Sequence, residues 1–281
     1  MMSMRRGDLQ NVATARLNAR QASLLARIHR RGYKTVTETL AVGPLRLPFT
    51  RIAEPDAVLD RIVEEEDRRE KLTGQRRNGN ELHLPYWAEL WDSAVGIGQF
   101  LASDFDKVTR RQDGKVKNRQ WDSSQPVTPS ACHLISVLDL GCGMGLAGMV
   151  AAAMGANVIL ADLETDALLF AKLNTLRWSN RTRARRLNWQ SDRLDETFDL
   201  IIGSDVLYDR SQWEFLEPFF QAHLGPGGQV LLGEPGRQTG DMFPDWIVQR
   251  GWKIDHLQQR VVTRATPIRI FKLVREAGHA V

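Results

Sequence analysis

Between Val137 and Glu164 the chain reads VLDLGCGMGLAGMVAAAMGANVILADLE, and no other stretch limits the fold as strongly. An apolar run ends at a glycine loop, an Ala-rich segment of helical length follows, and a second apolar run ends in Asp162. That order reads as strand, tight turn, helix, strand. Strands joined through a helix lie parallel, and a parallel sheet needs cover on both faces. Gly141, Gly143 and Gly145 remove Cβ atoms where the chain leaves the first strand, so a ligand can approach the backbone there. In an open parallel sheet that ligand sits at the carboxyl ends of the strands.

The alternation continues to the C-terminus. Periodicity predicts strands over 136–140, 157–162, 183–188, 198–204 and 228–233, with helices over 145–154, 165–176, 211–222 and 238–250. Two closing strands, 252–260 and 267–275, are joined by a short turn without a helix, which makes them antiparallel neighbours. The expected fold is α/β: a Rossmann-like seven-stranded, mostly parallel sheet with an antiparallel final strand and helices on both faces.

Three regions follow from the patterning. Residues 1–34 form a basic N-terminal extension, 35–80 a hairpin and a helix, and 81–281 the main domain. The hairpin is read from β-branched alternation around a Gly-Pro turn. Within the main domain, residues 103–133 are polar and aperiodic, and a disordered insertion is expected there.

Charge is uneven. The extension holds eight Lys or Arg against Asp8 alone, so a chain of net +4 leaves −3 for the remainder. The basic balance therefore belongs to the extension and is weak support for nucleic acid. Leu17, Leu24, Leu25 and Ile28 fall near one face, which suggests a solvated or loosely docked helix. An Arg-rich transit segment and a basic surface for an acidic partner stay open as alternatives. Cys132 and Cys142 are the only cysteines, which excludes a disulfide framework or a cysteine zinc site. The histidines show no ligand spacing, so no metal is expected. No apolar run approaches the roughly 18 residues of a membrane span. A cytoplasmic location without a membrane partner is the expectation.

Two nucleotide readings compete for the loop. Gly143, Gly145 and Gly148 satisfy G-x-G-x-x-G, the dinucleotide fingerprint. Gly141, Gly143 and Gly145, led by Asp139, satisfy D-x-G-x-G-x-G, the loop of enzymes that use S-adenosylmethionine (SAM). Asp162 would hold ribose hydroxyls in either case. Asp139 separates the two, because a carboxylate there repels a pyrophosphate but favours the cationic amino and sulfonium groups of SAM. The antiparallel closing pair agrees, since a dinucleotide fold continues with parallel strands. SAM is the expected cofactor.

Four stretches occur in order: PYWAELWDSA, VLDLGCGMGLAG, LNWQSDRLDETFDLIIGSDVLYD and LLGEPGR. With them, the chain from about Leu84 to Ile270 resembles the class I, seven-strand SAM-dependent methyltransferases and, within these, the family 16 lysine-methyltransferase-like group. It is most similar to the electron-transfer-flavoprotein β-subunit lysine methyltransferases and their bacterial relatives. The glycine loop is generic, whereas the Asn-Trp pair, the DVLYD ending and the GEPGR turn are specific.

The resemblance implies roles for individual residues. Trp91 contacts SAM with Trp87 as a neighbour, Gly141 and Gly143 meet its amino-acid end, and Asp162 holds the ribose. Trp189 lies at the adenine edge and Ser204 near the adenosine, while Asn188 stays unassigned. Asp205 and Tyr208 match the D-x-x-Y motif bordering the acceptor channel, and they are the expected catalytic pair. Tyr208 as a packed aromatic is the alternative. Glu234 and Arg237 either attract and fix a cationic acceptor or simply shape a turn.

The implied activity is transfer of a methyl group from SAM to a lysine amine of a protein. A small-molecule N-methyltransferase and a non-catalytic SAM-binding module remain alternatives. The Pro-Pro turn that receives a flipped adenine is missing after the DVLYD strand, and Tyr33 is the only aromatic among the arginines of the extension. Nucleic acid is therefore a disfavoured partner, and the oligomeric state is not set by the sequence.

Overall fold

The computed structural model describes residues 6–75, 84–109 and 135–275. Seven strands build one sheet: β3 (Ser136–Leu140), β4 (Asn157–Asp162), β5 (Thr182–Arg186), β6 (Phe198–Ser204), β7 (Leu224–Glu234), β8 (Trp252–Gln259) and β9 (Ile268–Arg275). Their spatial order is β5-β4-β3-β6-β7-β9-β8. Strands β5, β4, β3, β6 and β7 are parallel, whereas β9 runs antiparallel to both β7 and β8. The expected α/β architecture is what the chain adopts. Because the order reverses between β3 and β6, the crevice for a ligand opens at their carboxyl ends.

Alternating residues of β3 separate the two layers. Val137 faces one apolar cluster with α3 (Asp92–Thr109), α4 (Leu146–Ala153) and α5 (Thr165–Asn174). Leu138 and Leu140 face the other cluster, with α6 (Trp213–His223) and α7 (Gln238–Val248). Helix α3 rides close over β7, since a Cβ at Gly233 would fall 2.8 Å from Ile97 Cγ1. That contact holds the start of α3 above the β6–β7 rim.

The hairpin forms as the alternation predicts, with β1 (Thr35–Val42) paired antiparallel to β2 (Leu45–Ile52). Asn174 ties it to the main domain by accepting from the Thr50 amide at 2.8 Å and donating to Thr50 O at 3.0 Å. Helix α2 (Pro55–Thr73) starts at a proline and ends at Gly74 in the left-handed conformation.

Helix α1 (Arg6–Arg30) packs across α5. Ile28 is fully buried, Leu24 and Leu25 pack on the same cluster, and Arg16, Arg20, Arg27 and Arg30 remain exposed. The apolar stripe thus docks the helix more firmly than a solvated extension would allow. The beginning of the polar insertion also moves. Residues 103–109 continue α3 through a kink at Asp104, because Phe105 lies one turn beyond Leu101 and is buried with it. The rest of the expected insertion lies outside the described residues.

Candidate functional site

The glycine loop leaves β3 with Gly141, Gly143 and Gly145 at φ of 66°, 51° and 86°. A Cβ at Gly141 would meet Val206 Cγ1 at 3.0 Å and Trp189 Cζ3 at 3.6 Å. The loop is a cradle that side chains would fill. Asp162, ending β4, braces it by accepting the Gly143 amide at 2.8 Å on one oxygen and the Glu164 amide at 2.9 Å on the other. Each oxygen keeps a second lone pair for ligand hydroxyls. Burial pushes the Asp162 carboxyl up to about 6, against the lowering effect of those two amides.

Asp139 occupies a different place from that imagined for a group facing a bound cation. It is buried beneath the loop and accepts the Gly148 amide at 2.8 Å. Burial pushes its carboxyl up to about 7, with the Gly148 amide opposing. A Cβ at Gly148 would lie 2.7 Å from Asp139 Oδ2 and 2.5 Å from Leu160 Cδ2. Gly148 is therefore the packing glycine that lets α4 approach β3 and β4, which accounts for the G-x-G-x-x-G match without a pyrophosphate. Asp139 acts on the loop from below, by clamping the helix that follows it.

The two tryptophans of the PYWAELW stretch divide. Trp87 lies over the loop, with its carbonyl oxygen 3.7 Å from where a Gly143 Cβ would stand. Its ring contacts Tyr33 edge-on at 5.5 Å and Phe170 at 5.9 Å, and the Tyr33 hydroxyl donates to Asp166 Oδ2. Arg31 pairs with the same Asp166. Trp91 stands on the other side of the rim, its Nε1 donating to Tyr86 O at 2.7 Å. Trp87 thus borders the glycine loop through its backbone, whereas Trp91 lines the cavity beside Asp205. Trp189 is half-buried next to Gly141 and donates to Gln212 Oε1 at 3.1 Å. Asn188 accepts the Gln190 amide at 3.0 Å, so it shapes the turn after β5.

At the ends of β6 and β7 a second group of residues converges. Asp205 has a φ of 58°, is the non-glycine residue with positive φ among the described residues, and donates its amide to Gly233 O at 2.8 Å. That backbone turns its side chain toward Arg237, which grips it through Nε at 2.9 Å and Nη2 at 2.8 Å. The Arg237 guanidinium also lies 5.4 Å from the Trp91 ring centroid. Trp91, Ser93, Asp205, Arg237 and Arg264 line one cavity of about 410 Å³.

Glu234 is buried and fully engaged, accepting from the Gly236 amide at 2.8 Å, the Arg237 amide and Arg269 Nε at 2.7 Å. It builds the turn and has no free face for a substrate. Tyr208 is half-exposed with its ring 5.5 Å from that of Tyr86. Burial pushes its hydroxyl up, with Tyr86, Asp209, Asp162 and Asp205 adding to the effect. Ser204 ends β6 opposite Gly233, with its hydroxyl unpartnered.

The strand order places the two groups at neighbouring strand ends. β3, carrying the glycine loop, is hydrogen-bonded to β6, carrying Ser204 and leading to Asp205, a spacing of roughly 4.8 Å. Sequence reasoning missed Tyr33 and Tyr86. Tyr33 lies far upstream of the glycine loop, and Tyr86 stands just before the two tryptophans that dominate PYWAELW.

A model of the family described as lysine methyltransferase matches residues 81–242. The electron transfer flavoprotein beta subunit lysine methyltransferase of Danio rerio is 26% identical over 181 residues, 62% of this chain and 58% of that protein. The protein of the same name from Mus musculus is 30% identical over 159 residues, 54% of this chain and 51% of that protein. Protein N-lysine methyltransferase METTL21A of Danio rerio is 35% identical over 154 residues, 52% of this chain and 58% of that protein. The chain spans about half to three fifths of the length of the curated relatives it matches.

Proposed function

This chain belongs to the lysine methyltransferase family, and from that premise we propose that it methylates the side-chain amine of a lysine in a partner protein, with SAM as donor. The observation that carries the reading is the adjacency of two features at neighbouring strand ends. A backbone cradle braced by Asp162 and a substrate-sized cavity beside Asp205 open on adjacent strand ends. The cradle suits the donor, since Gly141 and Gly143 leave room for its amino-acid end and Asp162 keeps lone pairs for two ribose hydroxyls. Trp189, beside Gly141, offers an indole for the adenine. When bound, SAM supplies an electrophilic methyl on a sulfonium.

The protein's part is to present the acceptor in line. The N–C bond forms as the S–C bond breaks, and the leaving group departs as a neutral thioether. A lysine amine must arrive without its proton, although its ordinary pKa is about 10.4. The Arg237–Asp205 pair leaves no unpaired carboxylate there to hold an ammonium ion, which favours the neutral amine. Asp205 and Tyr208 then orient that amine at the end of β6, and holding it at reacting distance is the main rate term available.

Incubation with methyl-labelled SAM and a lysate of the host, followed by acid hydrolysis, tests this directly. Label recovered as methyl-lysine from a protein supports the reading. Label recovered in a small amine would transfer the activity to a small-molecule acceptor, and SAM binding without any transfer would leave only a binding module.

A further inference from the structure

We propose that Tyr86 and Tyr208 form an aromatic clamp that recognises the cationic side chain of the methyl acceptor, with Tyr86 setting its affinity. The inference rests on reading the β6–β7 rim as the acceptor side. The acids that a sequence reading would offer to an ammonium are already used there. Both oxygens of Asp205 accept from Arg237, and Glu234 is buried among the turn amides and Arg269. Asp92, on the cavity wall, is engaged by Thr263 and Arg264.

Glu89, also on that wall, is exposed and is the competing group for a cation; the rest of the accessible surface beside it is aromatic. Tyr86 is 49% exposed and Tyr208 is 43% exposed, high values for large rings beside a cavity. Their centroids are 5.5 Å apart and their planes meet at 58°, so they present an angled pair of faces rather than a flat stack. Tyr86 is held in place by the short turn Tyr86–Ala88, by the Trp91 indole bonded to its carbonyl, and by an edge contact with the Trp91 ring at 6.5 Å. The face of Trp91 already carries the Arg237 cation. Tyr86, in contact with Trp91, and Tyr208, in contact with Tyr86, are exposed rings next to that occupied face.

The chemistry matches a lysine and its methylated forms. A π face attracts a cation without needing N–H donors, and the attraction survives as methyl groups replace hydrogens and hydration weakens. A carboxylate, by contrast, depends on those donors. The clamp would hold the charged side chain at the rim, where the ammonium gives its proton to solvent water before the neutral amine moves in beside Arg237.

The probe is Nα-acetyl-trimethyllysine amide, compared with its neutral isostere in which a tert-butyl group replaces the trimethylammonium. Both are titrated by NMR into the full chain carrying ¹³C-labelled tyrosine, with S-adenosylhomocysteine present. The cation should bind about two- to fivefold more tightly than the isostere, the scale of an exposed cation–π contact. Tyr86→Phe should keep that preference, and Tyr86→Leu or Tyr208→Leu should remove it while the thermal transition persists. Equal binding of the two probes, no binding of the cation, or a preference that survives Tyr86→Leu but vanishes in Glu89→Gln overturns the clamp. Binding is read without methyl transfer, so a chain that prefers the cation yet methylates no lysine keeps the clamp and loses the proposed activity. Conversely, methylation of lysine with KM unchanged in Tyr86→Leu keeps the activity and loses the clamp.

Discussion

Arg237 holds both carboxylate oxygens of Asp205, through Nε at 2.9 Å and Nη2 at 2.8 Å, across 32 residues of sequence. The pair fixes the residue at the end of β6 in a left-handed backbone conformation and sets the local charge at the β6–β7 rim. Asp205 is therefore an oriented, neutralised group rather than a bare anion waiting for an ammonium ion. Its partner also reaches over Trp91, so one guanidinium joins the α3 entry to the β6 and β7 ends.

Removing Arg237 should cost more than its own exposure suggests, because it strands a nearly buried carboxylate. Arg237→Ala is expected to lower stability by about 1–3 kcal/mol, the range for an unsatisfied buried polar group. Asp205→Asn should fold normally, since asparagine tolerates a positive φ. That variant should retain SAM affinity while turnover drops by about tenfold to a hundredfold from misplacement of the acceptor. Urea unfolding and steady-state kinetics on the identified substrate check both. Full turnover in Asp205→Asn would remove Asp205 from the acceptor site.

Asp162 braces the loop amides, and the proposed function gives it a second task, the donor's ribose. Asp162→Ala should weaken SAM binding by about 1 kcal/mol or more, roughly fivefold in Kd. Calorimetry on the folded variant measures this, and an unchanged Kd would remove the ribose assignment.

Asp139 makes a pH prediction with a definite sign. Its carboxyl is pushed up to about 7 by burial, so the folded chain keeps a proton that the unfolded chain loses near pH 4. Stability should fall as pH rises through that window and level off above it. Asp162, pushed up to about 6 by burial, contributes in the same direction over a narrower range. Asp139→Asn keeps an acceptor for the Gly148 amide and carries no charge. Scanning calorimetry from pH 4.5 to 8 should show that the wild-type Tm declines more than that of Asp139→Asn. Parallel curves would mean that Asp139 does not titrate there.

Tyr33 tests whether the N-terminal segment serves the cofactor side. Tyr33→Ala removes the edge contact with Trp87, the contact with Phe170 at 6.0 Å and the bond to Asp166. A loss of about 2 kcal/mol in stability is expected for a partly buried ring, together with several-fold weaker SAM binding as Trp87 loses its wall. Tyr33→Phe should restore the packing and isolate the hydroxyl. SAM affinity unchanged in Tyr33→Ala would confine this residue to folding.

Local chemistry made much of the molecule legible in the sequence. Alternation of period 2 marks the hairpin Thr35–Ile52, and apolar runs broken by helical segments mark the parallel strands. The missing helix between Trp252 and Arg275 predicts the antiparallel closing pair. Such features depend on neighbours within a few residues, as does the glycine loop. β5 stops at Arg186, earlier than its pattern suggests, because Asn188 closes a turn that draws the chain away from the sheet.

Tertiary structure decided the rest, for one physical reason: the deciding contacts join residues distant in sequence. Asp139 reads as a site-facing carboxylate until α4 folds back over it and covers it. Trp87 and Trp91 look equivalent in PYWAELW, and only the fold sets the backbone of one beside the glycine loop and the ring of the other beside Arg237. The sequence of α1 leaves open whether the helix is solvated or loosely docked, and Ile28 decides it by burial against a surface that exists only once α5 is in place. Glu234 and Arg237 stand three residues apart, yet one is consumed inside the turn and the other reaches Asp205. A sequence specifies which side chains are charged or apolar; which of them lose their water and which stay available to a ligand is set by what folds on top of them.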